Sequence, residues 1–155
     1  EPIARQELSK ELFIEFEEVG FITHDEIEIL GISPDGITKD GTIQCEIKCP
    51  ASKKHTQTIR NNDIPSDNIH QVLHAFLVND KLEKLIFASY RPENNLKPLW
   101  HKEVNRSTEI NLGTKSRPQI KTVAEWCIIG MANAKQIDKE LPIEMKRLEE
   151  MYRNI

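Results

Sequence analysis

The stretch that decides the fold is Gly31-Ile32-Ser33-Pro34-Asp35-Gly36-Ile37-Thr38-Lys39-Asp40-Gly41-Thr42-Ile43-Gln44-Cys45-Glu46-Ile47-Lys48-Cys49-Pro50. From Ile43 to Lys48 apolar and polar residues alternate, and a period of two is that of a β-strand. Ile43, Cys45 and Ile47 are thereby sent to one face, and Gln44, Glu46 and Lys48 to the other. Pro34-Asp35-Gly36 is a turn signal at the end of a preceding strand, and Lys39-Asp40-Gly41 is a second turn that closes a hairpin. The hairpin is expected to bring Asp35 close to Glu46, with Lys48 projecting beside Glu46. Two carboxylates and a lysine so placed suit a hard divalent cation and a phosphodiester.

Short motifs of this kind also arise by chance. Asp-Gly usually marks only a turn and recurs as Asp40-Gly41, and Glu-x-Lys recurs as Glu144-Met145-Lys146 in a helix-like segment. The weight therefore rests on the whole string, Pro-Asp, ten residues, then Glu-x-Lys, carried on a hairpin.

The 155 residues, 38% hydrophobic and 30% charged, set a single globular domain large enough to bury a core. No apolar run reaches the length of a membrane helix, and no secretory signal opens the chain. The first residues lack Met and already read as helix, which predicts a further region upstream. Three cysteines, Cys45, Cys49 and Cys127, make no closed disulfide set, and Cys45-x-x-x-Cys49 lacks zinc-site spacing. A reducing, intracellular compartment is expected. A net charge of −4 argues against coating nucleic acid by bulk charge. DNA contact must then be local, and Ile47 to Asn62 supplies Lys48, Lys53, Lys54, His55 and Arg60 with no acidic residue.

Along the chain, Ala4 to Glu18 predicts a helix with Leu8, Leu12, Phe13 and Phe16 as its apolar stripe. Glu7, Glu11 and Glu15 share a flank, and the last two read as a solvated face. Val19 to Thr23 and Glu28 to Ser33 predict short strands. Pro50 ends the central strand, and Ala51 to Asp63 is polar with poor periodicity. Pro65-Ser66-Asp67 predicts a helix start with Ser66 or Asp67 as N-cap. The core residues Ile69, Val72, Leu73, Phe76 and Leu77 follow, with Gln71 at the edge of their stripe. Lys84 to Tyr90 and Leu99 to Val104 predict strands, and 105–117 a loop. Two tail helices follow, Gln119 to Gln136 and Ile143 to Tyr152, with Ile143, Leu148 and Met151 facing the core. The order predicts an α/β (α+β) fold, a mixed central sheet flanked by helices, with 107–155 as a C-terminal helical part.

Ser33-Pro34-Asp35-Gly36, Cys45-Glu46-Ile47-Lys48-Cys49-Pro50, His70-Gln71-Val72 and Phe87-Ala88-Ser89-Tyr90-Arg91-Pro92 together resemble the bacteriophage lambda exonuclease family, the YqaJ-like viral recombinase nucleases of the PD-(D/E)xK superfamily. The resemblance covers roughly Gln6 to Arg106, in order, and it implies a restriction-endonuclease-like core. It implies that Asp35 and Glu46 bind metal with the carbonyl of Ile47 as a third ligand, and that Lys48 is the catalytic lysine. Glu7 aligns with an acidic residue of the family's upstream helix and would join the metal site. Ser33 and Gln71 match positions near a phosphate-binding pocket, and Lys53, Lys54 and Arg60 extend the expected DNA contacts.

The resemblance implies a Mg²⁺-dependent 5′-to-3′ exonuclease on linear double-stranded DNA in phage-type recombination, with Mn²⁺ able to substitute. It further implies a homotrimer acting on DNA ends, with a single-strand annealing protein as a partner. Two other functions compete: an endonuclease of restriction or repair with the same superfamily core, and a catalytically silent DNA-binding module. The intact Asp35, Glu46 and Lys48 weigh against the silent module.

Overall fold

A computed structural model describes residues 2–153. Its centre is a four-stranded sheet in the order β3 (Gly36–Ile37), β4 (Ile43–Lys48), β5 (Lys84–Tyr90), β6 (Leu99–Asn105). β3 and β4 are the expected antiparallel hairpin, β4 and β5 run parallel, and β5 and β6 run antiparallel, so the sheet is mixed. A parallel pair needs a long crossover. Here α2 (Ser52–Asn61), a 3₁₀ turn (Ser66–Asn68) and α3 (Ile69–Val78) supply it.

Both faces of the sheet are covered. Helix α1 (Pro2–Leu12) lays Ala4 and Leu8 on the face formed by Cys45, Ile47, Ile86 and Ala88. On the other face Leu85 and Phe87 pack with Val72, Leu73 and Phe76 of α3. The alternation of β4 therefore does not separate a dry face from a wet one, because Gln44 and Glu46 are buried as well.

Several expected boundaries move. The first helix stops at Leu12 because Phe13 takes a left-handed φ of 54° and swings into solvent. Phe16, also in the expected stripe, is buried as expected but from beyond the helix, and Glu17 bridges to Ile37. The two early strands shrink to β1 (Ile22–Thr23) and β2 (Gly31–Ile32), paired antiparallel. The stretch after Pro50 is helical after all; its periodicity is hard to see because the inward positions are His55 and Thr58, both polar types. Ser66 and Asp67 open a 3₁₀ turn with no side-chain cap, and α3 begins at Ile69.

The expected loop after β6 and the start of the next helix form a small hairpin of β7 (Glu109–Asn111) and β8 (Ile120–Thr122). The two tail helices are a single one, α4 (Val123–Arg153), with Pro142 inside it. Its first half docks on α3, and Ala134 is buried in the core. Its second half packs on no core: Ile143, Leu148 and Met151, expected to face inward, are exposed.

Candidate active site

Asp35 precedes β3 and is fixed at two points. Arg5 of α1 donates Nη1 to its main-chain carbonyl at 2.6 Å, and its own Oδ2 accepts the N–H of Ile47 at 2.6 Å. The ladder from β3 to β4 runs only from Ile37↔Gln44 to Gly36↔Cys45. Beyond it the Asp35 side chain stands in for a strand and takes the next N–H on that edge. Gly36 makes the approach possible. A Cβ there would sit 2.8 Å from Cys45 Sγ and 3.0 Å from both Arg5 Cδ and Phe16 Cβ, too close for any side chain.

Glu46 and Lys48 project from the same face of β4, as expected. Lys48 Nζ donates to Glu46 Oε1 at 2.5 Å. The Glu46 side chain is only 4% exposed and that of Lys48 33%, so the ammonium lies between a dry carboxylate and water. Asp35 thus touches β4 at the residue between the two. Because N–H and C=O of one strand residue leave on the same edge, the Ile47 carbonyl points to the side where Asp35 sits.

The carboxylates also register across the strand. The Cys45 thiol is pushed up to about 12, chiefly by burial and then by the negative charge of Asp35, with Arg5 opposing. Among the described residues no three His, Cys, Asp or Glu side chains gather as a ligand set. Glu7 lies on α1, the helix covering the opposite face, and accepts from Lys10 at 2.7 Å.

The other sequence-derived positions lie on the β2–β3 link, on α3 and on α2. Ser33 is exposed in the link between β2 and β3, and Gln71 is exposed on α3. Their elements are tied together where His74 of α3 bonds the Gly31 carbonyl at 2.9 Å. Lys53, Lys54 and Arg60 all lie on exposed positions of α2. Lys54 is held by Asp67 at 2.5 Å, which keeps the Asp67 carboxyl below its usual range. Next to Lys48 opens a cavity of about 190 Å³, whose lining includes Cys49, Lys54, Thr58, Asn68 and Ser89. Past Lys54 and Thr58 a broader groove of about 1140 Å³ continues along Lys53, Asn61, Ser66 and Lys115.

Sequence reasoning missed one group that the fold places here, and misjudged another. Ser89 stood in a motif that supported only the resemblance, yet it lies opposite Lys48 in the β4–β5 register. Gln44, set only on the polar face of β4, is 1% exposed. His55, counted with the DNA-facing basic residues, is wholly buried; its Nδ1 is 2.8 Å from Ser89 Oγ and its Nε2 2.8 Å from the Lys97 carbonyl.

Residues 1–91 match the family model of the YqaJ-like viral recombinase domain. The chain belongs to that family. Among solved structures it is similar to an alkaline exonuclease, LHK-Exo, from Laribacter hongkongensis, with a TM-score of 0.74 and 24% identity over 99% of this chain and 70% of that one. The same exonuclease in complex with dAMP gives a TM-score of 0.73 over the same shares at the same identity. At that identity the likeness establishes the fold, that of the lambda-exonuclease-like alkaline exonucleases. No match was found among curated proteins. No helix among the described residues is long and apolar enough to cross a membrane. Family and fold together support a DNA nuclease.

Proposed function

We propose that this YqaJ-family chain is a metal-dependent deoxyribonuclease, a 5′-to-3′ exonuclease on linear double-stranded DNA. The observation that carries the reading is the meeting of Asp35, Glu46 and Lys48 at the end of β4, within an exonuclease fold. The donor set has the right chemistry for Mg²⁺ or Mn²⁺: two carboxylates and a backbone carbonyl, all hard oxygen donors, with no thiol or imidazole required. Asp35, Glu46 and the carbonyl of Ile47 would hold the ion. When bound it supplies Lewis acidity toward the scissile phosphate and an activated water.

The chain's own groups do the rest. Asp35 and Glu46 are preorganised, one by the Ile47 N–H and one by burial, so little reorganisation attends the reaction. Lys48 brings a positive charge to the same point, where it orients the attacking water or offsets charge building on the phosphate oxygens. Ser33 and Gln71 offer a hydroxyl and an amide on neighbouring elements, groups suited to a terminal phosphate. Lys53 and Lys54 line the groove leading away, and Arg60 is exposed on the same helix, giving the local positive charge that a chain with net charge −4 needs for backbone contact. The family resemblance adds a closed homotrimer, action in phage-type recombination and a single-strand annealing partner.

The test is a time course on linear duplexes labelled at either end, with and without a 5′ phosphate. It is run in Mg²⁺, in Mn²⁺ and in excess EDTA, beside a closed circle of the same sequence. Loss of label from the 5′-phosphorylated end, only with metal and only on linear DNA, is expected. Hydrolysis in EDTA would refute metal dependence, and equal cleavage of the circle would refute the exonuclease.

A further inference from the structure

We propose that Ser89, held by His55, is a positioning residue for Lys48. The inference rests on the reading of Lys48 as the catalytic lysine. It begins from His55, a wholly buried imidazole that the nuclease mechanism leaves unused.

The ring's two partners fix its hydrogens. Nε2 faces the Lys97 carbonyl at 2.8 Å, and a carbonyl oxygen only accepts, so Nε2 carries the hydrogen. In the uncharged ring Nδ1 is then an acceptor, and the contact of 2.8 Å with Ser89 has the serine hydroxyl donating. With its one hydrogen spent on His55, Ser89 Oγ has only lone pairs left to offer. Ser89 lines the cavity beside Lys48, so it turns an acceptor toward that space.

Lys54, Thr58 and Asn68 line the cavity as well; the Lys54 ammonium spends one hydrogen on Asp67, and the Thr58 hydroxyl donates to the Lys54 carbonyl. Lys48 stands directly across the parallel register from Ser89, on the same face of the sheet. An ammonium has three hydrogens, and the bond to Glu46 Oε1 uses one. A cavity of about 190 Å³ has room for several waters at roughly 30 Å³ each. Ser89 therefore gives Lys48 a second hold, through water, on the side away from Glu46. A lysine on a flexible four-carbon stem needs two holds to keep one geometry, and misplacement by about 1 Å can cost about 100-fold in rate. The relay runs from the Lys97 carbonyl through His55 and Ser89 to Lys48 and Glu46, across two strands and a helix.

Single-turnover and steady-state hydrolysis of a 5′-phosphorylated duplex by the full chain tests this. Ser89→Ala is expected to lower kcat about tenfold, the value of one hydrogen bond, with KM and calorimetric Mn²⁺ affinity unchanged. Ser89→Thr keeps the hydroxyl, and the cavity has room for its methyl, so it should retain most of the rate. Melting curves set the assay well below each variant's Tm, so a fall in stability cannot pass for a fall in kcat. The deciding measurement is a double-mutant cycle. In the Lys48→Ala background, Ser89→Ala should have no further effect, because its action passes through the lysine. A full tenfold loss persisting there would overturn the proposal, as would wild-type kcat in Ser89→Ala. If Lys48→Ala itself kept the wild-type rate, the reading of the active site would fall first and this inference with it.

Discussion

Asp35 has one role in the fold and another in the proposed chemistry, and substitution can separate them. Its Oδ2 is the acceptor for Ile47 N–H, at the point where the β3–β4 ladder has run out. Its charge is the one that, with Glu46, would hold the metal. Asp35→Asn removes the charge but leaves an amide oxygen able to accept the same N–H, whereas Asp35→Ala removes both. A hydrogen bond to an ionised acceptor contributes about 1.5–3 kcal/mol, and partial exposure of Asp35 brings that to about 1–2 kcal/mol. For a chain of 155 residues each kcal/mol is roughly 2–4 °C, so Asp35→Ala should melt about 2–8 °C below the parent. Asp35→Asn should melt within about 2 °C of it. In hydrolysis of end-labelled duplex both should fall by at least roughly 10²–10³-fold, the scale of losing a preorganised charge. The measurements are paired, calorimetric melting beside initial rates in Mg²⁺. Asp35→Asn with near-parental activity would refute the metal role. Equal melting of the two variants would refute the structural one.

Three further outcomes follow from the same geometry. Lys48→Ala should cut the rate by roughly 10²–10³-fold while calorimetry shows Mn²⁺ still binding, since in the proposed role an ammonium beside the carboxylates would stabilise the transition state without being a ligand. Arg106 donates to the carbonyls of Asn79, Asp80 and Leu82 at 3.0–3.1 Å and lies 5.4 Å over the Phe76 ring, tying down the end of α3. Urea unfolding should therefore show Arg106→Ala destabilised by about 2–3 kcal/mol, with Arg106→Lys recovering only part because it lacks the planar fork. The Cys45 thiol, raised by burial from 9.0 to about 12, keeps its proton in the fold where the unfolded chain would lose it. The unfolded state then binds fewer protons, so stability should fall as pH climbs from about 9 toward about 12, by up to about 1.4 kcal/mol per unit. Cys45→Ala should flatten that slope in urea titrations at about pH 8 and about pH 10.5.

Elements whose packing repeats their own period were legible. The strand Lys84–Tyr90 matches the expected bounds because a run of apolar residues bounded by charged and turn residues leaves few alternatives. Helix α3 was legible in its core, with Val72, Leu73 and Phe76 buried as expected. Elements set by long-range contact were not. Nothing local marks Phe13 as left-handed; the helix ends there because Phe16 is needed beneath Gly36. Pro142 read as a helix start, since proline suits a first turn. The helix instead runs through it, in a half exposed enough that the apolar residues beyond were mistaken for a core stripe.

The candidate site was legible from the string Pro-Asp, ten residues, Glu-x-Lys, and burial adds an argument the string does not contain. On a solvated strand face glutamate and lysine would need no explanation. β4 is instead an interior strand with a neighbour on each side and helices over both faces, the setting in which strands are usually apolar throughout. A carboxylate at 4% exposure there is costly to desolvate, and a lysine at 2.5 Å offsets only part of that cost. Two apolar residues of similar volume would serve the fold as well or better. Keeping Glu46 and Lys48 on such a strand, with Asp35 brought in over a glycine that admits no side chain, is a cost the fold itself does not require. The proposed chemistry of a divalent cation and a phosphodiester would account for it, and this is why burial adds to what the motif alone says for a nuclease.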